Sequence, residues 1–206
     1  RNNPSNNGNE DLEPETIQTI EFVVDYQPLS NLNLRMNMFY YDIEDLVELV
    51  QDPGQTTQTS QNNKNQEGQG FELEAELLAT KNLLLKGNIA FQDSEDKETG
   101  EPVPDAPEWQ AYCNIHWTFM PEWSIDGQYH WIAGRERAVG DIREDIKDNH
   151  IVNATVRRTH LFQNWEVALA VRNLLNENIR EPGPAAIPND YPMEERSFWA
   201  ELRFNF

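Results

Sequence analysis

The sequence has one cysteine among 206 residues and fewer than half as many bases as acids. Cys113 cannot form a disulfide within the chain, and no Cys or His stands at metal-ligand spacing from it. Lys and Arg number 16 against 36 Asp and Glu, which gives a formal net charge of −20. Because phosphate binding needs a basic surface, this balance excludes nucleic acid as a partner and disfavours adsorption to an anionic membrane surface.

Long apolar runs are also missing. No segment approaches the roughly 20 apolar residues of a transmembrane helix, and none carries a convincing amphipathic helical stripe. A membrane β-barrel is not excluded, because its strands are short and only alternately apolar. The sequence starts at Arg1 with neither an initiator Met nor a signal peptide, so we expect a piece of a longer product.

The dominant pattern is an alternation of apolar and polar residues with period two, as in Glu72-Leu73-Glu74-Ala75-Glu76. Successive side chains of a strand point to opposite faces, so this pattern predicts β-strands. The apolar rows occupy nine segments: 20–26, 32–40, 71–77, 83–91, 109–119, 123–131, 152–156, 165–171 and 198–206. An odd number of strands cannot close a bacterial barrel, so we predict an all-β fold of about nine antiparallel strands from a larger transmembrane β-barrel.

The connections between the rows alternate between short and long. Long ones fall near 1–14, 51–69, 93–107, 134–149 and 176–196. Compact soluble domains rarely carry several loops longer than about 15 residues, whereas outer-membrane barrels combine tight periplasmic turns with long extracellular loops. The long loops hold most of the acids, which serve solvation or, as an alternative, attract cations or bind Ca²⁺.

Aromatic residues stand at both ends of the apolar rows. Those beside short turns are Tyr26, Phe119 and Trp123, and those beside long loops are Tyr40, Phe91, Trp109 and Trp131. Two such bands are typical of the interfacial girdles of a membrane barrel. A soluble sandwich would instead concentrate its aromatic residues mid-strand, inside the core.

Three stretches together resemble the C-terminal barrel portion of TonB-dependent outer-membrane receptors. The first is the strand at 32–50, with Phe39-Tyr40-Tyr41-Asp42, followed after a polar loop by Gly70-Phe71-Glu72-Leu73. The second is Asn173-Leu174-Leu175-Asn176, which resembles the penultimate-strand Asn-Leu-Phe-Asn/Asp motif with Leu in place of Phe. The third runs from Pro192 to Phe206, with Glu-Glu-Arg in place of the usual Pro-Gly-Arg. The resemblance covers essentially the whole chain, and it rests on the order and spacing of these stretches.

The resemblance implies a 22-stranded barrel in the bacterial outer membrane, closed by a plug domain that these residues do not include. It implies active import of a scarce ligand, such as a ferric siderophore, haem or cobalamin, with energy from the TonB complex acting through the plug. It also implies that the barrel-assembly machinery recognises the closing strand, where Leu202, Phe204 and Phe206 match the expected signal. The expected partners are outer-membrane lipid, the TonB complex, the assembly machinery and the remaining N-terminal part of the receptor.

Ligand contacts are expected at the loop end of the barrel, at His130, Arg135, Arg137 and Tyr41. Arginine offers paired donors to carboxylate oxygens, which suits an anionic chelate. The alternative is that the two arginines pair with acids of their own loop: Glu136, Asp141, Glu144 or Asp145.

No constellation of side chains suggests catalysis, so we predict a protein that is not an enzyme and that holds neither a metal nor a cofactor. Glu72, Glu74 and Glu76 are expected to pair with Lys86 or with plug arginines rather than to act as catalytic acids. His116 and His130 are expected to form hydrogen bonds in the lumen rather than a metal site.

The predicted function is therefore transport, and two alternatives remain open. One is a passive outer-membrane channel or structural barrel, which the absence of an upstream plug sequence would favour. The other is a soluble, secreted β-sandwich that acts as a binding module, which solubility without detergent would favour.

Overall fold

The computed structural model describes residues 5–206, and this part of the chain is built from strands. The strands are β1 (Asn6–Asn7), β2 (Thr16–Leu29), β3 (Leu32–Gln51), β4 (Gln58–Thr80), β5 (Leu83–Asp96), β6 (Pro107–Met120), β7 (Trp123–Arg135), β8 (Asn149–Leu161), β9 (Trp165–Arg172), β10 (Arg180–Glu181), β11 (Tyr191–Pro192) and β12 (Ser197–Phe204). Nine of them have eight or more residues, and each of these contains one of the nine alternating rows. In this part of the chain no helix is long and apolar enough to cross a membrane.

The long strands form one sheet, and their order in it follows the chain. The order is β12-β9-β8-β7-β6-β5-β4-β3-β2, so β2 and β12 are its two ends and the sheet is not closed within the described residues. The pairings from β5 to β12 are antiparallel. The predicted all-β, antiparallel fold is thereby confirmed.

The register of the sheet brings the apolar rows onto one face. Gly87 pairs with Cys113, which pairs with Tyr129, which in turn pairs with Val152. At the other end of the sheet Leu169 pairs with Ala200. Because directly paired residues share a face, rows that were recognised separately in the sequence join into one apolar surface, and the polar rows form the opposite surface.

This apolar face is left uncovered by the chain itself. Ile20 is 73% exposed, Phe198 is 78% exposed and Leu202 is 63% exposed. The buried hydrophobic residues of the described chain are Ala133, Ile146, Ala168 and Ile179, and two of these lie in loops. An apolar surface of this size needs an apolar environment, because soluble proteins rarely expose continuous patches of more than a few hundred Å².

Several strands run further than their apolar rows. β4 begins at Gln58, β5 ends at Asp96 and β8 ends at Leu161, so strands occupy parts of the sequence that had been assigned to loops near 51–69 and 93–107 and to a short turn from 158. Alternation marks a strand only where one face is apolar. The extensions of β4 and β5 are polar on both faces, and Arg157 to His160 interrupt the apolar row of β8, so the pattern could not show them.

The chain divides into two compact units. The first contains residues up to Phe22, Met38–Gly70 and Gln92–Val103, and it holds the polar extensions of β3 and β4. Within it β1 lies parallel to β4, with Asn6 opposite Gln58, and Asp52 accepts hydrogen bonds from Thr57, Thr59 and Asn7. The second unit contains Val23–Asn37, Phe71–Phe91 and Pro104–Phe206. Of the long stretch expected near 1–14, residues 1–4 lie outside the described residues.

Candidate functional site

Two loops of the second unit hold buried side chains. They are residues 136–148, between β7 and β8, and residues 173–196, between β9 and β12, which include the small hairpin of β10 and β11. Ile146 of the first loop and Ile179 of the second are 9% and 6% exposed. The loops are therefore folded structures, and their polar contacts define what they offer to a ligand.

Asn173 fastens the two ends of the second loop. Its side-chain oxygen accepts a hydrogen bond from the backbone nitrogen of Glu177 at 2.9 Å, and its amide group donates to the carbonyl oxygens of Glu177 at 2.9 Å and Glu194 at 3.2 Å. The side-chain oxygen of Asn176 accepts a hydrogen bond from the backbone nitrogen of Arg196 at 3.1 Å. Both asparagines have a positive φ, +48° and +58°, which Asn tolerates better than most residues. The Asn-Leu-Leu-Asn motif therefore closes this loop.

Arg143 joins the two loops. Its guanidinium donates hydrogen bonds to Asp141 in its own loop, the shortest at 2.5 Å, and to Asp190 in the other loop at 3.0 Å. It also donates to the carbonyl oxygens of Gly183 at 2.9 Å and Ile187 at 3.0 Å. The hydrogen bonds from Arg143 lower the pKa of Asp141 to about 2.

Arg137 holds the same carboxylate from another direction. Its two terminal nitrogens donate to the two oxygens of Asp190 at 3.1 and 2.6 Å, and its Nε donates to the carbonyl oxygen of Glu144 at 2.7 Å. The Arg137 and Asp190 side chains are only 8% and 11% exposed. The hydrogen bonds from Arg137 are the main reason that the pKa of Asp190 is lowered to about 2.

Arg135 also reaches across to the second loop. Its side chain is 3% exposed and donates to Glu181 at 2.8 Å, with a longer hydrogen bond to the carbonyl oxygen of Lys147 at 3.4 Å. Arg135 and Arg137 thus pair with acids of the loop at 173–196. The expectation that they pair with Glu136, Asp141, Glu144 or Asp145 of their own loop is wrong for the side-chain partners, because the second loop folds back onto the first.

A cleft of about 430 Å³ lies among these loops. Its lining includes Arg137, Arg143 and Asp190 of the ion-pair cluster together with Lys147 and Arg180. Arg180 donates to the carbonyl oxygen of Asn189 at 3.1 Å and to the side-chain oxygen of Asn178 at 3.3 Å. Neither Lys147 nor Arg180 forms an ion pair with any described carboxylate. The lining also includes Glu144, Asp145 and Glu177, which form no ion pair with a described base, so the cleft offers unpaired charges of both signs.

His130 and Tyr41, the other two expected ligand contacts, lie apart from this cluster. The His130 and Tyr112 rings pack on each other with their centroids 4.6 Å apart, because the two residues are directly paired in the sheet. Tyr41 belongs to the first unit, where its hydroxyl lies 2.8 Å from Ser94 Oγ. Its ring covers Gly68 so closely that a Cβ there would lie 2.5 Å from the Tyr41 Cζ. Within the second unit, no hydrogen bond, ion pair or ring contact of the described residues joins His130 to Arg135 or Arg137.

On the polar face of the sheet, oppositely charged side chains of neighbouring strands form pairs. Lys86 binds Glu76 at 2.8 Å, as expected from the sequence. His116 binds Asp126 at 2.7 Å. Among residues 5–206 no group of three or more His, Cys, Asp or Glu side chains could hold a metal ion.

Two residues of the expected assembly signal, Leu202 and Phe204, lie on β12, and Phe206 follows its end. Leu202 is 63% exposed and Phe206 is fully exposed, while Phe204 packs on Trp165 with ring centroids 4.9 Å apart. Sequence reasoning did not find Arg143, Asp190 or Glu181, since nothing in a single sequence relates residues about 40 positions apart. Asn173 and Asn176 stood inside a recognised motif, so their importance was visible and their role was not.

A sheet whose strands follow one another along the chain, with one continuous apolar face and folded loops beyond its strands, is part of the wall of a transmembrane β-barrel. The chain belongs to the family described as TonB dependent receptor-like, beta-barrel, whose model matches residues 1–174. Members of this family are transport receptors rather than enzymes, and the family implies the bacterial outer membrane.

Solved structures with the same fold include three metal or siderophore receptors. The copper transporter OprC is 17% identical, with a TM-score of 0.78 over 96% of this chain and 32% of that one. The ferric-catecholate import receptor Fiu from E. coli K12 is 19% identical, with a TM-score of 0.76 over 96% of this chain and 29% of that one. A mutant of the ferric enterobactin receptor PfeA from Pseudomonas aeruginosa, in complex with enterobactin, is 19% identical, with a TM-score of 0.77 over 96% of this chain and 32% of that one.

At these identities the likeness shows the fold alone, and the chain spans about a third of the length of these structures. By sequence, the chain matches none of the curated proteins with which it was compared.

Proposed function

We propose that residues 1–206 form the C-terminal wall of an outer-membrane receptor that imports a scarce ligand with energy supplied by the TonB complex. The observation that carries the proposal is the single apolar face, in which Gly87, Cys113, Tyr129 and Val152 follow one another across four strands. Such a face is matched to lipid, and the opposite polar face is matched to a hydrated interior that holds a plug. The remaining N-terminal part of the receptor would supply that plug and the contact with TonB.

The ligand class in this proposal is an anionic chelate, with a ferric siderophore first and haem or cobalamin after it. Two of the similar structures are a ferric-catecholate import receptor and a ferric enterobactin receptor. In this chain Lys147 and Arg180 line the loop cleft without carboxylate partners, beside Glu144, Asp145 and Glu177, and they would be the donors to an anionic ligand. Arg135 and Arg137 would contact such a ligand only after releasing Glu181 and Asp190.

His130 and Tyr41 enter the proposal in a lesser role. His130 belongs to the polar row of β7 and would face the interior, where ligand passes after leaving the loops. Tyr41 is engaged with Ser94 and Gly68, so we expect its substitution to alter loop structure before it alters ligand affinity.

Uptake by cells tests this function. A strain that lacks the gene, and one that carries the full receptor, should be compared for uptake of ferric enterobactin, haemin and cyanocobalamin, with and without a functional TonB. We expect one of these probes to enter only when both receptor and TonB are present. Uptake that is independent of TonB would favour the passive channel, and recovery of the protein as a detergent-free monomer would favour the soluble sandwich.

Paired variants test the cleft. Lys147→Gln together with Arg180→Gln should weaken binding of the imported probe about tenfold or more, since each lost charge-assisted hydrogen bond is worth on the order of 1–2 kcal/mol. Lys81→Gln is the matched control, because Lys81 is an exposed base in the short turn between β4 and β5. Equal affinity in all three proteins would remove the cleft from the proposal and leave the receptor function intact.

The closing strand has its own test. We propose that the barrel-assembly machinery recognises Leu202, Phe204 and Phe206, and Phe206→Ala should lower the amount of receptor in the outer membrane several-fold. Phe162→Ala is the control, because Phe162 is 84% exposed and lies outside β12, in the turn between β8 and β9. If both variants accumulate as the wild type does, the terminal aromatic residue is not part of the signal.

A further inference from the structure

One arginine of the sheet stands in an apolar row. Arg158 continues the row of Val152, Ala154 and Val156 along β8, and its direct neighbours in the sheet are Trp123 on β7 and Val167 on β9. It lies three residues before the end of β8 at Leu161, beside the short turn to β9. The register therefore puts a cation on the apolar face, at the short-turn end of the strands.

Most arginines of the described chain are paired with carboxylates, but Arg158 is not. The paired ones are Arg35, Arg135, Arg137, Arg143, Arg157, Arg172 and Arg203. Its sequence neighbour Arg157 points to the opposite face and binds Glu166 there. Glu122, in the adjoining turn, accepts a hydrogen bond from the backbone nitrogen of Thr159 through its own carbonyl oxygen, yet forms no ion pair with any base of the described residues.

The Arg158 guanidinium packs on an aromatic ring, but its hydrogen-bond donors have no partner in the described chain. It lies over the Trp123 ring, with Cζ 5.3 Å from the ring centroid. Its Nε is buried and has no hydrogen-bond partner within the described part of the chain. A cation fixed on an aromatic face, with unused planar donors, is suited to a phosphate group, because two of its N–H groups can bind two phosphate oxygens at once.

We propose that Arg158 and Trp123 form a binding site for the headgroup phosphate of an anionic membrane phospholipid of the phosphatidylglycerol class. This site rests on the membrane placement in the proposed function and goes beyond the general contact of the wall with lipid. The aromatic residues around it, with Phe119 6.4 Å from Trp123 between ring centroids, mark the interfacial level at which a headgroup lies. The net charge of the chain is −20, so the site acts through local geometry and not through overall attraction.

Lipid titration of the full receptor tests the site. The purified, delipidated receptor is titrated with palmitoyl-oleoyl phosphatidylglycerol, and bound lipid is counted by native mass spectrometry. Arg158→Gln should weaken the tightest lipid about fivefold to tenfold, in keeping with one interfacial charge and its phosphate contacts. The lipid affinity of Arg158→Lys should lie between those of the wild type and Arg158→Gln, because lysine keeps the charge and loses the planar guanidinium. Lys81→Gln, which removes a base from another short turn, should match the wild type.

Three results would overturn the site. Arg158→Gln could bind the lipid as the wild type does, Lys81→Gln could lose as much as Arg158→Gln, or millimolar inorganic phosphate could occupy the site as tightly as the lipid, which would make it a site for free phosphate. Heat-dependent gel migration checks that each variant is folded. Removal of an arginine from the lipid-facing side near the interface is not expected to unfold the barrel, since a charge at that level has only a small effect on barrel stability. Failure of the receptor to reach the outer membrane would count against the proposed function instead.

Discussion

Replacing Asn173 should open the loop at 173–196 without unfolding the sheet. The Asn173 side chain is 4% exposed and makes three hydrogen bonds, two with Glu177 and one with the carbonyl oxygen of Glu194. At about 1 kcal/mol for each, Asn173→Ala loses about 3 kcal/mol of local stability. The left-handed backbone, at φ +48°, adds a further cost on the order of 1 kcal/mol for alanine.

Hydrogen exchange measured by mass spectrometry reports this opening directly. A loss of about 3 to 4 kcal/mol raises the exchange rate of backbone amides that open with the loop by on the order of 100- to 1000-fold. The amides to follow are those of Glu177 and Arg196, which the two asparagine side chains hold. Peptides from β6 and β7 should exchange as in the wild type, because no contact of Asn173 reaches those strands.

One further substitution separates the backbone cost from the loss of hydrogen bonds, and a second serves as its control. Asn173→Gly removes the side chain but accepts the positive φ, so it should recover only the backbone part. Asn178→Ala is the matched control, since its side chain accepts one hydrogen bond, from Arg180 at 3.3 Å. Exchange in Asn173→Ala within twofold of the wild type would refute the reasoning, as would full protection in Asn173→Gly.

Three other predictions concern the loops. Asp141 and Asp190, with pKa values near 2 against 3.8 unperturbed, contribute stability that is complete above about pH 4 and is lost as the pH falls from there through 2. Loop exchange at a fixed intrinsic rate should therefore be constant from pH 5 to 8 and should begin to rise below about pH 4. Arg143→Lys keeps the charge but cannot span both loops, so limited proteolysis should cut both loops faster than in the wild type. Gly68→Ala should destabilise the first unit by steric overlap with the Tyr41 ring in a urea titration, and Tyr41→Ala should relieve that loss.

The strands could be predicted from the sequence because one face of each strand is apolar. The row at 109–119 became β6, Pro107–Met120, and the row at 165–171 became β9, Trp165–Arg172. Each row carries its own period, so no knowledge of its neighbours is needed. The ends of β4 and β5 were not predictable in this way, since Gln58 and Asp96 lie where both faces are polar.

The candidate site was only partly predictable. Arg135 and Arg137 were singled out by their position at the end of a row, and both prove to be buried in ion pairs. Their partners, Glu181 and Asp190, lie 46 and 53 residues further along the chain. Such pairs depend on how two loops fold onto each other, and a loop conformation has no periodicity from which a partner could be inferred.

The strand order has a consequence for how such a wall can change. Each long strand is bonded to the long strands next to it along the chain, from β2 to β12. A duplicated or deleted hairpin would therefore widen or narrow the wall by about 10 Å, two strand spacings, and leave the register of the remaining strands as it was. The loops at 136–148 and 173–196 are the exception to such independence, because the ion pairs of Arg135, Arg137 and Arg143 join them, so they would have to be exchanged together. Proteins that keep this wall can therefore change the number of its strands and the sequence of its loops by separate genetic steps.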